Sequence, residues 1–372
     1  MPITLDDLRR HAVRRTFFKP TTLGRAIAKL GFVQADPIRS PARAQDLTLR
    51  HRVKDYRAGD LERRYARLGI EEDFFVNYGF VSRELHALMH PRTARAVWTK
   101  ARWKQAQAVL EFVRERGVVH PREVDAHFAH GKTTNWFGGS SNATTQLLDG
   151  MHYRGLVRVA RRESGVRLYA AREQTAPPAD PRAAHDALID VVVAKYAPLP
   201  AASLGQLVSL LCGGGAPQWR GERAAALARA KGRLAKQHIG GVDWYWPADE
   251  RIPRSRGEAD AVVRLLAPFD PVVWDRRRFE QFWGWAYRFE AYTPAPKRKL
   301  GYYALPLLWR DQVIGWANVS ANVNTNGGAN GTRLKTEFGY VAGAAPRDAA
   351  FRGALADEVD RLHGFLGLAQ AD

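Results

Sequence analysis

Apolar residues recur at helical spacing over residues 4–16 (TLDDLRRHAVRRT), putting Leu5, Leu8, Ala12 and Val13 on one face. Thr4 stands at the N-cap position with acids in the first turn. A second helix is predicted over Thr21 to Leu30, ended by Gly31, and FVQAD follows as a short strand stopped by Pro37. Residues 58–69 predict a helix with Leu61, Tyr65 and Leu68 inward; Phe74, Phe75, Tyr78 and Phe80 then form a core-facing stretch. From Arg92 a long amphipathic helix runs to about Glu115, broken by Gly117, and a shorter helix starts at Pro121. Ser140 or Ser141 caps a third helix over NATTQLLDGMHYRG, and LVRVARRESGVRLYAA alternates as two strands around Glu163-Ser164-Gly165. Three helices followed by a hairpin is the winged-helix order, a variant of the helix-turn-helix.

The order repeats after a linker at 176–181 (APPADP). Helices are predicted over 182–196, 201–211 and 218–237, then a strand pair around Gly240-Gly241 and VDWYW. From about 258 the period changes to two: AVVRLLAPFD, WAYRFEAYT, GYYALPLLW, QVIGWANVSANV and TRLKTEFGYV read as strands. NTNGGANG supplies a hairpin turn, and a last helix over 347–366 carries Phe351, Leu355, Val359 and Leu362 on one stripe. The fold class expected is α+β: three winged-helix units at 1–90, 91–175 and 176–250, and a β-rich part at 251–372.

Composition narrows the partner. The chain of 372 residues has 57 Lys and Arg against 38 Asp and Glu, a net charge of +19, with 45% hydrophobic residues, so it is globular and suited to polyanions. The excess is clustered at +6 in residues 1–90, +9 in 91–172 and +6 in 251–310, while 173–250 balance and 311–372 are at −2. An arginine-rich proteome would also raise the total, but clustering favours a surface that follows a phosphate backbone. A lone cysteine, Cys212, excludes a disulfide framework. No apolar leader or 18-residue apolar run is present, so the expected setting is cytoplasmic and nucleoid-associated, without a membrane.

On an extended FVQAD, Gln34 and Asp36 point to one side, about 6–7 Å apart. With Arg39 and Arg43 nearby, a carboxylate and a carboxamide so placed can hold and deprotonate a water beside a bound phosphate backbone. The alternative is that Asp36 caps a turn at Pro37 and Gln34 is merely exposed. Arg276, Arg277 and Arg278, with Lys297, Arg298 and Lys299, interleave with Trp274, Trp283, Trp285, Tyr292, Tyr302 and Tyr303, which suits DNA phosphates or, equally, the basic rim of a β-rich core. The third helix of the second unit and its wing offer Arg154, Arg158, Arg161, Arg162 and Arg167 to DNA. The basic helix at 218–237 lies in a net-neutral unit and reads as packing. His51, His86, His90 and His152 read as surface or capped residues. No HExxH, GxGxxG or GxxxxGK[ST] occurs, so neither a metal nor a cofactor is expected.

GFVQADPIR, RAQDLTLRHRV, VNYGFVSRELHALMHPR and LLAPFDPVVWDRRR…YRFEAYTPAPKRKLGYYALPLL together resemble the YcaQ/AlkZ family of winged-helix DNA glycosylases, from Leu5 to about Val341. Residues 265–306 carry the most specific stretch. The resemblance implies three tandem winged helices around a concave DNA-binding channel, and metal-free removal of N7-alkylated purines or unhooking of interstrand crosslinks. Its Gln-x-Asp active pair falls on Gln34 and Asp36, similar to the YcaQ-type branch. It also implies a hairpin that enters the minor groove, for which residues 318–335, with Asn324 and Asn326, are the candidate. Ala35, Pro37 and Asn77 depart from the family's usual bulky aliphatic, Ser or Thr, and His.

A monofunctional glycosylase is therefore expected, its partner double-stranded DNA carrying alkylation damage or crosslinks. The competing class is a non-enzymatic winged-helix regulator; a nuclease lacks a paired-carboxylate metal cluster. Three fused DNA-binding units make a monomer sufficient.

Overall fold

A computed structural model describes residues 2–94, 96–134, 139–173, 176–254, 259–323 and 332–368. The chain is of mixed helix and sheet and divides into two compact units. One comprises residues 1–61, 192–206 and 231–372; the other comprises 62–191 and 207–230. Spatial units and consecutive sequence segments thus do not coincide.

In the first unit, α1 (Leu5–Thr16) begins at Thr4, whose hydroxyl accepts from the Asp7 amide while the Asp7 carboxylate accepts from the Thr4 amide. α2 (Leu23–Leu30) stops at Gly31, where φ is 66° and a side chain is disfavoured. β1 (Phe32–Gln34) follows, fully buried, and then α3 (Ala44–Leu49). An antiparallel sheet is built from Val263–Leu265, Leu305–Trp309, Gln312–Val323 and Thr332–Tyr340 in that order, and the helix Ala349–Leu366 packs near its first strand. The candidate minor-groove hairpin thus has paired arms, but its tip, with Asn324 and Asn326, lies outside the described residues.

WAYRFEAYT forms no strand, contrary to the alternation of its residues. Asp275 caps an unforeseen helix, Arg276–Trp283, which Gly284 ends at φ 64°. An irregular loop follows, with Tyr287 turned inward and its hydroxyl donating 2.7 Å to the Ala304 carbonyl. The alternation reflects burial of a loop against a core of Leu266, Val272, Val273, Phe279, Tyr287 and Leu308. Across that loop, the Glu290 carboxylate accepts the amides of Lys299, Leu300 and Gly301.

The second unit opens with the hairpin of β2 (Ile70–Phe74) and β3 (Tyr78–Ser82). The expected helix over 58–69 is shorter, Asp60–Arg64 followed by one tight turn at Tyr65–Arg67. The long helix spans Lys100–Arg116, capped by Thr99, and the next spans Pro121–Phe128. Asn142, rather than either serine, caps Ala143–Tyr153, because its Oδ1 reaches the amides of Thr144 and Thr145. The strands Val157–Glu163 and Val166–Ala171 pair antiparallel as expected. Helices at Pro181–Tyr196 and Ala201–Leu210, each divided between the two units along the chain, match the reading; that at 218–237 is cut to Arg223–Arg233, since Ala235–Ile239, in the first unit, pairs with Val242–Trp246 of the same unit. Among the described residues no helix is long and apolar enough to cross a membrane.

Candidate active site

Gln34 and Asp36 both lie in the first unit, and both are buried, at 6% and 8% exposure. Only Gln34 belongs to β1; Pro37 turns the chain away just after Asp36. Asp36 closes a turn at Pro37, as the alternative reading expects. One carboxylate oxygen, Oδ1, accepts the Ile38 amide at 2.9 Å and closes the turn over Pro37. The second oxygen has no hydrogen-bond partner among the described residues. The Asp36 amide donates 3.2 Å to Oε1 of Gln45, on α3. Burial pushes the Asp36 carboxyl above the ordinary carboxylate range, and the Ile38 amide offsets only part of that. Gln34 is not exposed: its Oε1 accepts the indole N–H of Trp274 at 2.9 Å.

Trp274 is held by the turn that carries it. Its amide and that of Val273 donate to the Asp270 carbonyl, each at 2.8 Å, and its ring lies 5.1 Å from that of Tyr196. The Asp270 carboxylate is fully buried against the equally buried Arg52, with contacts of 2.8 and 3.1 Å. Arg52 also donates to the carbonyls of Thr16 and Thr48 and lies over the Phe17 ring. The Lys195 ammonium, buried beside β1, donates to the Phe32 carbonyl and is pushed down to about 7 by burial.

The Asp-Arg-Arg-Arg motif corrects the expectation of a phosphate-facing run. Arg278 is 2% exposed, and its guanidinium donates to the carbonyls of Tyr196, Pro271 and Val272. Arg276 donates to Val273 and Pro268 and lies over Tyr287. These two clamp the turn that holds Trp274; only Arg277 is exposed. Lys297 and Lys299 are exposed, whereas Arg298 donates to the Thr293 carbonyl and lies over Tyr302. Arg39 is exposed and Arg43 half-buried. Tyr292 is 80% exposed, and the buried Tyr303 hydroxyl has no hydrogen-bond partner among the described residues. Burial first, and the Asp36 charge second, push both phenols above the ordinary tyrosine range and so disfavour their ionisation.

In the second unit the expected DNA-reading arginines turn inward. Arg158 forks onto Glu71, and Arg162 pairs with the fully buried Glu72. Both partners lie on β2, whose acids the sequence reading did not weigh. Arg154 donates to the Gly150 and Ala96 carbonyls with its guanidinium 3.5 Å from the Trp98 ring. Arg161 alone stays on the surface, paired with Glu163. His86, His90 and His152 are also not surface groups, at 4%, 3% and 5% exposure. The His86 and His90 imidazoles lie 2.8 and 3.2 Å from the same Asp73 oxygen, and Arg92 donates 2.9 Å to the other. The three side chains gather as metal ligands do. However, the buried guanidinium already balances Asp73, holding its carboxyl well below the usual range against the opposing effect of burial.

Gln45 and Trp274 bond to the candidate pair, Arg52 and Asp270 hold the turn that carries Trp274, and Tyr303 feels the Asp36 charge. Each lay inside a motif already singled out, but side-chain direction was needed to assign it.

The family model described as DNA glycosylase AlkZ-like matches residues 27–365. Among solved structures, the DNA glycosylase AlkZ of Streptomyces sahachiroi is similar in fold, with a TM-score of 0.63, 13% identity, and coverage of 100% of this chain and 98% of that one. The chain belongs to the AlkZ-like family of DNA glycosylases.

Proposed function

We propose that this protein hydrolyses the N-glycosidic bond of cationic N7-alkylated purines in duplex DNA, crosslinked purines included, as a monofunctional and metal-independent glycosylase. The observation that carries this reading is the buried Asp36 carboxylate, with one oxygen tied to the Ile38 amide and the other open, beside a fixed Gln34 amide.

An N7-alkylated purine already carries positive charge, so its departure needs no general acid and no Lewis acid. What remains is stabilisation of an oxocarbenium-like sugar and delivery of water to C1′. Asp36, desolvated and ionised, supplies the opposing charge and accepts the water's proton. Gln34 positions that water. The bond from C1′ to the base nitrogen breaks, the base leaves with the bonding electrons that quench its charge, and C1′ gains the hydroxyl.

The helix, helix, helix, hairpin order over residues 100–171 supports a winged-helix reading, with related units at 1–90 and 176–250 around a DNA-binding channel. Arg39, Arg43, Arg277, Lys297 and Lys299 are the cations best disposed to phosphates, and the 318–335 hairpin is assigned to the minor groove.

Incubating the protein with methylated duplex in EDTA, followed by hot alkali, tests the reading. Strand breaks that appear only after alkali are expected. Binding without abasic sites would instead identify a regulator, and loss of activity in EDTA would overturn metal independence.

A further inference from the structure

We infer that Trp274 is a positioning residue that fixes which face of the Gln34 carboxamide meets the substrate, a refinement that rests on the catalytic reading of Gln34 and Asp36. An indole N–H only donates, so the Gln34 atom 2.9 Å from Trp274 Nε1 is the carbonyl oxygen. The Gln34 NH₂ group is thereby turned away from Trp274 and finds no partner among the described residues. Gln34 consequently enters the reaction as a donor, and it cannot share the role of base with Asp36. A water held between them donates its proton to the open Asp36 oxygen and accepts from the Gln34 NH₂, which leaves its other lone pair for C1′.

The indole itself cannot swing away. The turn from Pro268 to Asp275 is pinned by Arg276 and Arg278 through the carbonyls of Pro268, Pro271, Val272 and Val273, and by the buried Arg52 and Asp270 pair. Three basic side chains of two sequence motifs thus act, with Asp270, on a single N–H, where a sequence reading assigns two of them to DNA or to a core. Without that N–H the amide rotates and presents oxygen as readily as nitrogen to the water.

Single-turnover excision of N7-methylguanine is to be measured for Trp274→Phe, Gln34→Ala and the double variant, with DNA affinity and thermal unfolding alongside. Trp274→Phe is expected to slow excision about 3- to 10-fold, the range for one hydrogen bond, with DNA affinity unchanged. The double variant is expected to be no slower than Gln34→Ala. A double variant slower than Gln34→Ala by the full Trp274→Phe factor overturns the inference, as does an unimpaired Trp274→Phe beside a slow Gln34→Ala. A wild-type rate in Gln34→Ala overturns the catalytic reading of Gln34 and the inference with it. A second readout leaves Trp274 intact: in Gln34→Ala its ¹⁵N indole N–H should exchange faster with solvent, and unchanged exchange contradicts the contact.

Discussion

Replacement of Asp270 by Asn tests the framework beneath the site. Arg52 and Asp270 are each 0% exposed, and the carboxylate answers two guanidinium nitrogens at 2.8 and 3.1 Å while also accepting the Val272 amide. Asn keeps the shape but removes the charge and turns an NH₂ toward a fork of donors. Leaving a buried charge uncompensated costs about 3–5 kcal/mol; Asn retains one acceptor, so about 3 kcal/mol is expected. At about 2–4 °C per kcal/mol for a unit of this size, the melting temperature of the first unit should drop by about 6–12 °C in scanning calorimetry. Because the Asp270 carbonyl also receives the Trp274 amide, excision should weaken at temperatures where the variant remains folded. Joint replacement by Arg52→Met and Asp270→Leu should recover most of the lost stability, since neither charge is then stranded. A melting temperature within about 2 °C of wild type for Asp270→Asn would refute the reasoning.

Further outcomes follow from the same geometry. Burial raises the Asp36 carboxyl above its ordinary 3.8, so excision should rise with pH on an acid limb displaced upward from that value, and a limb at or below 3.8 in the pH–rate profile would contradict the assignment. Because the folded state disfavours the ionised carboxyl, Asp36→Asn should match or exceed wild-type stability near pH 7, the advantage fading as acid protonates Asp36 in both states; a drop in melting temperature at pH 7 opposes this. The Tyr303 hydroxyl is buried and has no partner among the described residues, so Tyr303→Phe should leave stability equal or higher yet slow excision; equal rates would remove any role for it. Lys297→Ala and Lys299→Ala should each reduce the salt slope of DNA binding by about 0.9, whereas Arg158→Ala, which breaks an internal fork onto Glu71, should lower the melting temperature and hardly change that slope.

Much of the frame was legible because it is written locally. The Thr4 and Asp7 capping box, Gly31 after α2 and the alternation of 157–171 fix their elements without distant help. Residue types and spacing offered Gln34 and Asp36 as a candidate pair beside a turn-cap alternative, and the family resemblance, not the spacing, favoured the pair. The remainder depended on tertiary direction. A run such as Arg276 to Arg278 looks equally basic in a sequence whether its guanidiniums meet phosphates or backbone carbonyls, and here the middle one alone faces out. The same ambiguity concealed the forks of Arg158 and Arg162 onto Glu71 and Glu72, because an ion pair spanning some ninety residues leaves no periodic signal. WAYRFEAYT misled for a related reason: alternate burial marks packing, not strand pairing.

The central claim is that Asp36 performs chemistry and does not merely hold DNA. Excision of N7-methylguanine by Asp36→Asn, measured under single-turnover conditions in EDTA beside wild type and with binding to the same duplex recorded, tests it most directly. Near-wild-type binding with no alkali-labile sites is predicted. Excision at the wild-type rate would contradict the account.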